Sequence, residues 1–186
     1  MRQLLASVFA VGMLLSVPAA AADLEYNYVD FGFISVEPDG GGADFDGLGL
    51  RGSFLVNPEI FVIGEFTSAS AETGFGDIDR TDLAFGAGYR HALNPSTDVY
   101  GSIEYLNVEV DPAFDDDGLR LSGGVRVAMS DRLELRGALQ YIDLTDSDTV
   151  LSVGAQYQFM PKLAGFFELR EGDNFGGYFI GGRYSF

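Results

Sequence analysis

The chain has 186 residues, 47% of them hydrophobic, with 28 acidic side chains against 11 basic ones and a net charge of −17. That length suits one domain with a sizeable core, and the charge disfavours nucleic acid, whose phosphates would be repelled. The absence of cysteine and the single histidine, His91, exclude disulfides, thiolate metal sites and most imidazole-based constellations.

Residues 1–22 carry one positive charge at Arg2, an apolar run, then Pro18 and four alanines. This is the pattern of a secretory signal peptide cleaved after Ala22. The alternative, a membrane anchor, needs a run of about 20 apolar residues, longer than this one. Cleavage would leave a single domain, residues 23–186, with charge −18 once the +1 of Arg2 is removed from −17.

From residue 24 onward the dominant period is two, which means strands. Ten are predicted, over residues 24–36, 48–56, 60–67, 81–91, 99–108, 119–129, 133–144, 149–159, 163–170 and 178–186. In the first, Tyr26 and Tyr28 share one parity while Phe31 and Phe33 share the other, so a bulge or register shift is expected near Asp30. Short turns rich in Asn, Pro and Ser alternate with longer polar loops at 37–46, 68–79, 109–118, 145–148 and 171–176. The weakly repeating unit is one hairpin, and strands of about ten residues match a tilted membrane-spanning strand.

The two parities differ in kind. On the one expected to face outward, which includes Leu50, Phe54, Val62, Phe85, Ile103, Leu121, Val127, Leu139, Val153 and Phe167, nothing is charged. A bilayer demands this, because a midplane Arg or Lys costs roughly 2–4 kcal/mol. The other parity collects Arg51, Glu65, Arg80, Asp82, Arg90, Glu104, Arg120, Arg126, Glu134, Arg136, Glu168, Arg170 and Arg183, with Gln140 and Gln156. A soluble β-sandwich would also alternate but would scatter Lys over its solvent face, whereas here the polar parity holds Arg and no Lys. Tyr89, Tyr157, Phe159 and Tyr184 should form one interfacial girdle and Phe66, Tyr105 and Tyr141 the other. The fold expected is all-β, a ten-stranded antiparallel up-and-down transmembrane barrel of outer-membrane type, with both termini periplasmic.

The last strand ends in Phe186, with Tyr184, Ile180 and Tyr178 on the same face. It resembles the C-terminal signature of bacterial outer-membrane proteins, which implies insertion by the barrel assembly machinery. Segments such as YNYVDFGF, GLGLRGSF and NPEIFVIGEF further resemble small outer-membrane barrels of xanthomonad-type bacteria, a group once discussed in quorum signalling. That resemblance spans nearly the whole mature chain and transfers no functional residues. Ten-stranded outer-membrane proteases carry acids and a His at the extracellular rim, but His91 lies beside the Asn94-Pro95 turn, at the opposite end. A non-catalytic protein without a cofactor is therefore expected.

Two features remain as candidate sites. Asp44 and Asp46, and Asp115, Asp116 and Asp117, are clustered carboxylates without EF-hand spacing, and hydration is the plain alternative to a divalent cation there. Loosely held Mg²⁺ or Ca²⁺ could bridge the acidic loops to anionic lipopolysaccharide. In the lumen, inward arginines and acids could close the interior through bidentate pairs, or line a narrow wet pore. The leading expectation is a monomeric envelope or surface-contact protein with a closed lumen; the alternatives are a narrow porin-like channel and, more distantly, an outer-membrane enzyme.

Overall fold

The computed structural model describes residues 24–186 except 40, 41, 75 and 113. The predicted signal peptide, residues 1–22, lies outside the described residues. Ten strands form one closed barrel: β1 (Tyr28–Pro38), β2 (Phe45–Leu55), β3 (Ile60–Thr73), β4 (Gly76–Asn94), β5 (Thr97–Asp111), β6 (Phe114–Ala128), β7 (Leu133–Asp143), β8 (Ser147–Met160), β9 (Leu163–Glu171) and β10 (Phe175–Ser185). Each pairs antiparallel with its sequence neighbours, and β1 pairs with β10 to close the cylinder. Closure leaves no sheet edge, so every strand satisfies its backbone groups without water.

The parity assignment holds around the cylinder. Phe31, Leu50, Phe54, Phe85, Ile103, Leu139 and Phe167 all point outward and exposed, as do the aromatics of both expected girdles. Val127 is the exception. It shares the outward parity but is buried, paired with the equally buried Thr97, next to a register shift between Ala92 and Asn94 that bends β4.

Two expectations need correction. The bulge near Asp30 is absent, because β1 pairs in unbroken register with β10 from Tyr28 to Pro38 and with β2 from Tyr28 to Val36. Its aromatics fall on both parities because both faces use them: Phe31 and Phe33 point outward and Tyr28 points into the lumen. All the strands but the nine-residue β9 are also longer than ten residues, reaching 19 in β4 and 15 in β5 and β6. Segments read as loops at 68–79 and 109–118 are largely strand. Beyond Phe66, Leu83, Tyr105 and Leu119 the outward residues turn polar, as in Ser70, Glu72, Asp79, Glu109 and Asp117, while the inward ones turn small or apolar, as in Ala69, Ala71, Val108 and Val110. The alternation persists with its sense inverted, because strand that emerges from the apolar band meets water outside.

Candidate functional site: the lumen

The lumen has three levels between the end that carries the termini and short turns (the turn end) and the opposite one (the loop end). At the turn end, residues 24–27 enter the barrel ahead of β1. Tyr26 packs on Phe61 at 5.2 Å between ring centres, and Phe61 meets Tyr100 edge-on at 6.3 Å. These rings fit because glycines face them across the strands. A Cβ at Gly88 would lie 2.2 Å from the Phe61 ring and one at Gly124 2.7 Å from Tyr100, distances no real side chain tolerates. Two guanidiniums clasp the entering segment: Arg126 donates to the Glu25 carbonyl at 2.8 Å and Arg90 to the Leu24 carbonyl at 3.5 Å. Both also lie over the Tyr26 ring, at 4.2 and 4.6 Å. Arg126 is held in turn by a bidentate pair with Glu134, and Arg90 lies 3.2 Å from Asp98.

The middle level is one continuous ion-pair network. Arg183 donates to both oxygens of Asp30, at 2.6 and 2.8 Å, and Arg51 donates twice to Asp30 Oδ2, at 3.1 and 2.9 Å. Arg51 reaches on to Glu168 at 3.1 Å, which also holds Arg170 at 2.8 Å. Arg136 Nη2 lies 2.7 Å from Glu168 but at an angle that makes it an ion pair without a directed hydrogen bond. Arg170 then donates to Glu65 at 3.2 and 3.1 Å, and Arg120 joins Glu65 at 3.4 Å to Glu104 at 2.5 Å. Five arginines thus share four carboxylates, and partners up to 117 residues apart in sequence, Arg51 of β2 and Glu168 of β9, meet across the cylinder. Alternating charge in this chain compensates the desolvation that would make any one of these groups costly alone. A small cavity of about 70 Å³ lies between this level and the turn-end rings, with room for a few waters.

The charged lumen residues predicted from sequence all point inward and all are paired, with Arg80 bound to Asp82 at 2.9 Å. Sequence reasoning missed two acids. Asp30 is fully buried and anchors Arg183 and Arg51, and Asp98 is the partner of Arg90. Asp30 was legible as a charge on the parity of Tyr28, had that parity been read as lumenal; Asp98 alternates with outward Val99.

The loop-end level is apolar, built by Ile34, Val36, Phe45, Val108, Val110 and Ile142, and encloses a cavity of about 420 Å³. Glu65, Arg120, Gln140 and Arg170 line both cavities and form the partition between them. The clustered carboxylates lie on this end without converging. Among the described residues no three His, Cys, Asp or Glu side chains are arranged to hold a metal ion. Asp115 accepts from Asn107 at 2.8 Å, and Asp116 accepts from the Thr145 amide at 2.8 Å, a bond that lowers the pKa of its exposed carboxyl. His91 is exposed at the turn end, away from the buried network.

The outer membrane protein beta-barrel domain family matches residues 7–159. The chain belongs to that family. Its uncharged outer band is accordingly the lipid-facing wall of a small outer-membrane barrel, although the match does not single out the xanthomonad-type group. A search of curated proteins returns no match. Among solved structures, the chain is similar to the KdgM porin in complex with disordered oligogalacturonate, at 13% identity and TM-score 0.49, covering 88% of this chain and 99% of that one. It is also similar to the outer membrane protein OprG from Pseudomonas aeruginosa, at 16% identity and TM-score 0.46, covering 89% and 98%. Ail, the attachment invasion locus protein of Yersinia pestis, matches at 16% identity and TM-score 0.41, covering 88% and 100%.

Proposed function

We propose that this chain is a non-catalytic outer-membrane barrel with a closed lumen, serving the integrity of the envelope or its surface contacts. The turn end and both termini face the periplasm, and the acidic loop end faces outward. The observation that carries this reading is the unbroken chain of pairs from Arg183 through Asp30, Arg51, Glu168, Arg170, Glu65 and Arg120 to Glu104, which crosses the lumen. Below it the Tyr26 segment closes the periplasmic mouth. Planar-bilayer recording of the purified protein tests the reading. The expected record is free of steady single-channel steps, with added leak in Arg126→Ala and Arg136→Ala; steady steps in the wild-type protein would sink the closed lumen.

A narrow channel is the second reading, favoured by one observation: only four side chains separate the two cavities. For the absence of catalysis the test is His91→Ala, and loss of a measurable hydrolytic activity in that variant would overturn it.

A further inference from the structure

The two ends of the lumen are built differently. At the turn end, aromatic rings fill the interior. At the loop end, Ile34 and Val36 of β1, Val108 and Val110 of β5 and Ile142 of β7 turn inward and leave about 420 Å³ unfilled above the charged partition. Apolar walls around open space are an unfavourable way to finish a barrel in water, where polar lining or further packing would serve better. The volume lies within the range of small-molecule sites, and it is nearly three times that of a cavity of about 150 Å³ that accepts benzene. A two-ring compound, or an alkyl chain carrying one ring, therefore fits.

Charge selects among such molecules. Asp146 and Asp148 line the cavity, and exposed Asp39, Glu72, Asp79 and Asp111 belong to the strand ends and connections of the same end. Above the partition the one basic side chain among the described residues is Arg80, already bound by Asp82. A ligand entering from this end meets a negative field that a water-filled mouth screens only over about 8 Å at physiological salt.

We propose that the loop-end vestibule binds a small amphipathic cation, its apolar body against Val108, Val110 and Ile142 and its ammonium or amidinium group at the Asp146 rim. This site is independent of whether the lumen below it conducts.

The experiment places the full mature barrel in phosphatidylcholine nanodiscs. It titrates three probes of matched shape, 4-phenylbutylammonium, 4-phenylbutan-1-ol and 5-phenylpentanoate, by calorimetry and amide shifts, with empty nanodiscs as the blank. The cation should bind about tenfold more tightly than the carboxylate, with the alcohol between them, and added salt should narrow the difference. Asp146→Asn should weaken the cation and leave the alcohol unchanged. Val108→Trp, which fills the cavity, should abolish binding of all three, and Val110→Phe serves the same purpose if the larger residue prevents folding, judged by heat-modifiable migration. Equal binding of the three probes, tighter binding of the carboxylate, no binding at all, or undiminished binding to the filled variants would each overturn the proposal.

Discussion

Substituting Asp30 by Ala tests whether the lumen is a closed, connected interior. The carboxylate is fully buried and accepts two hydrogen bonds from Arg183 and two from Arg51. Arg51 would keep Glu168, but Arg183 would be left with only the Tyr28 ring, 3.4 Å from its guanidinium carbon. Removing one partner of a buried pair costs roughly 3–5 kcal/mol, because the other charge remains without compensation. The space left by the carboxylate, beside Tyr28 and Arg51 of the small cavity, can admit water to the orphaned group, so we expect the lower end, about 3 kcal/mol. Reversible urea unfolding in lipid vesicles, followed by tyrosine fluorescence, measures it. The double variant Asp30→Ala/Arg183→Met removes the orphan as well and should be more stable than Asp30→Ala alone, with a coupling of about 2 kcal/mol. A single-variant cost below about 1 kcal/mol, the worth of an exposed pair, or strict additivity would show that these charges are hydrated as on a surface and would refute the closed interior.

Three further outcomes follow from the geometry. Deleting residues 24–26 removes the Tyr26 plug but no strand, so conductance should rise while the barrel remains folded; an unchanged record would assign closure to the ion pairs alone. The carboxyl of Asp116 has a pKa below the ordinary aspartate value of 3.8 because its ionised form accepts from the Thr145 amide. Its folded-state pKa is depressed, so the contribution is present above the ordinary value and lost as pH falls through the lowered one. Protection of the Thr145 amide against exchange, taken relative to its intrinsic rate at each pH, should fall over that window, and Asp116→Asn should remove that fall. If divalent cations bridge the acidic end to lipopolysaccharide, a chelator should lower thermal stability in lipopolysaccharide-containing membranes and leave the barrel unaffected in phosphatidylcholine; no change in either membrane counts against bridging.

The lipid-facing wall was legible in the sequence because a bilayer excludes charge absolutely along one parity, so residues such as Leu50, Phe85 and Leu121 declare their orientation without a partner. The lumenal arginines were legible for the complementary reason. The strand ends were not: Ser70, Glu72, Glu109 and Asp117 look like loop because polarity was taken to mark the end of pairing, whereas it marks only the end of lipid. Asp30 was obscured by Tyr28 beside it, since a tyrosine near a membrane edge reads as lipid-facing until the lumen is known to take rings. The loop-end cavity was illegible: Phe45 and Val110 of its apolar wall fall in stretches that read as loop, Ile34, Val36, Val108 and Ile142 fall within predicted strands, and no periodicity reveals that these strands leave a space unfilled.

The pairing of Asp30 with Arg183 has a consequence for how the cylinder is completed. The two residues are direct cross-strand neighbours on the first and last strands, the only junction that must form between distant parts of the chain. A slip of one residue would turn Arg183 toward lipid, and a slip of two would set Asp30 opposite Gly181 or Ser185 and strand Arg183, leaving Asp30 to Arg51. The seam is thus keyed: of the neighbouring alignments by which β1 could meet β10, one leaves no ion alone, so the last joint to close is also the joint that checks the register of the rest.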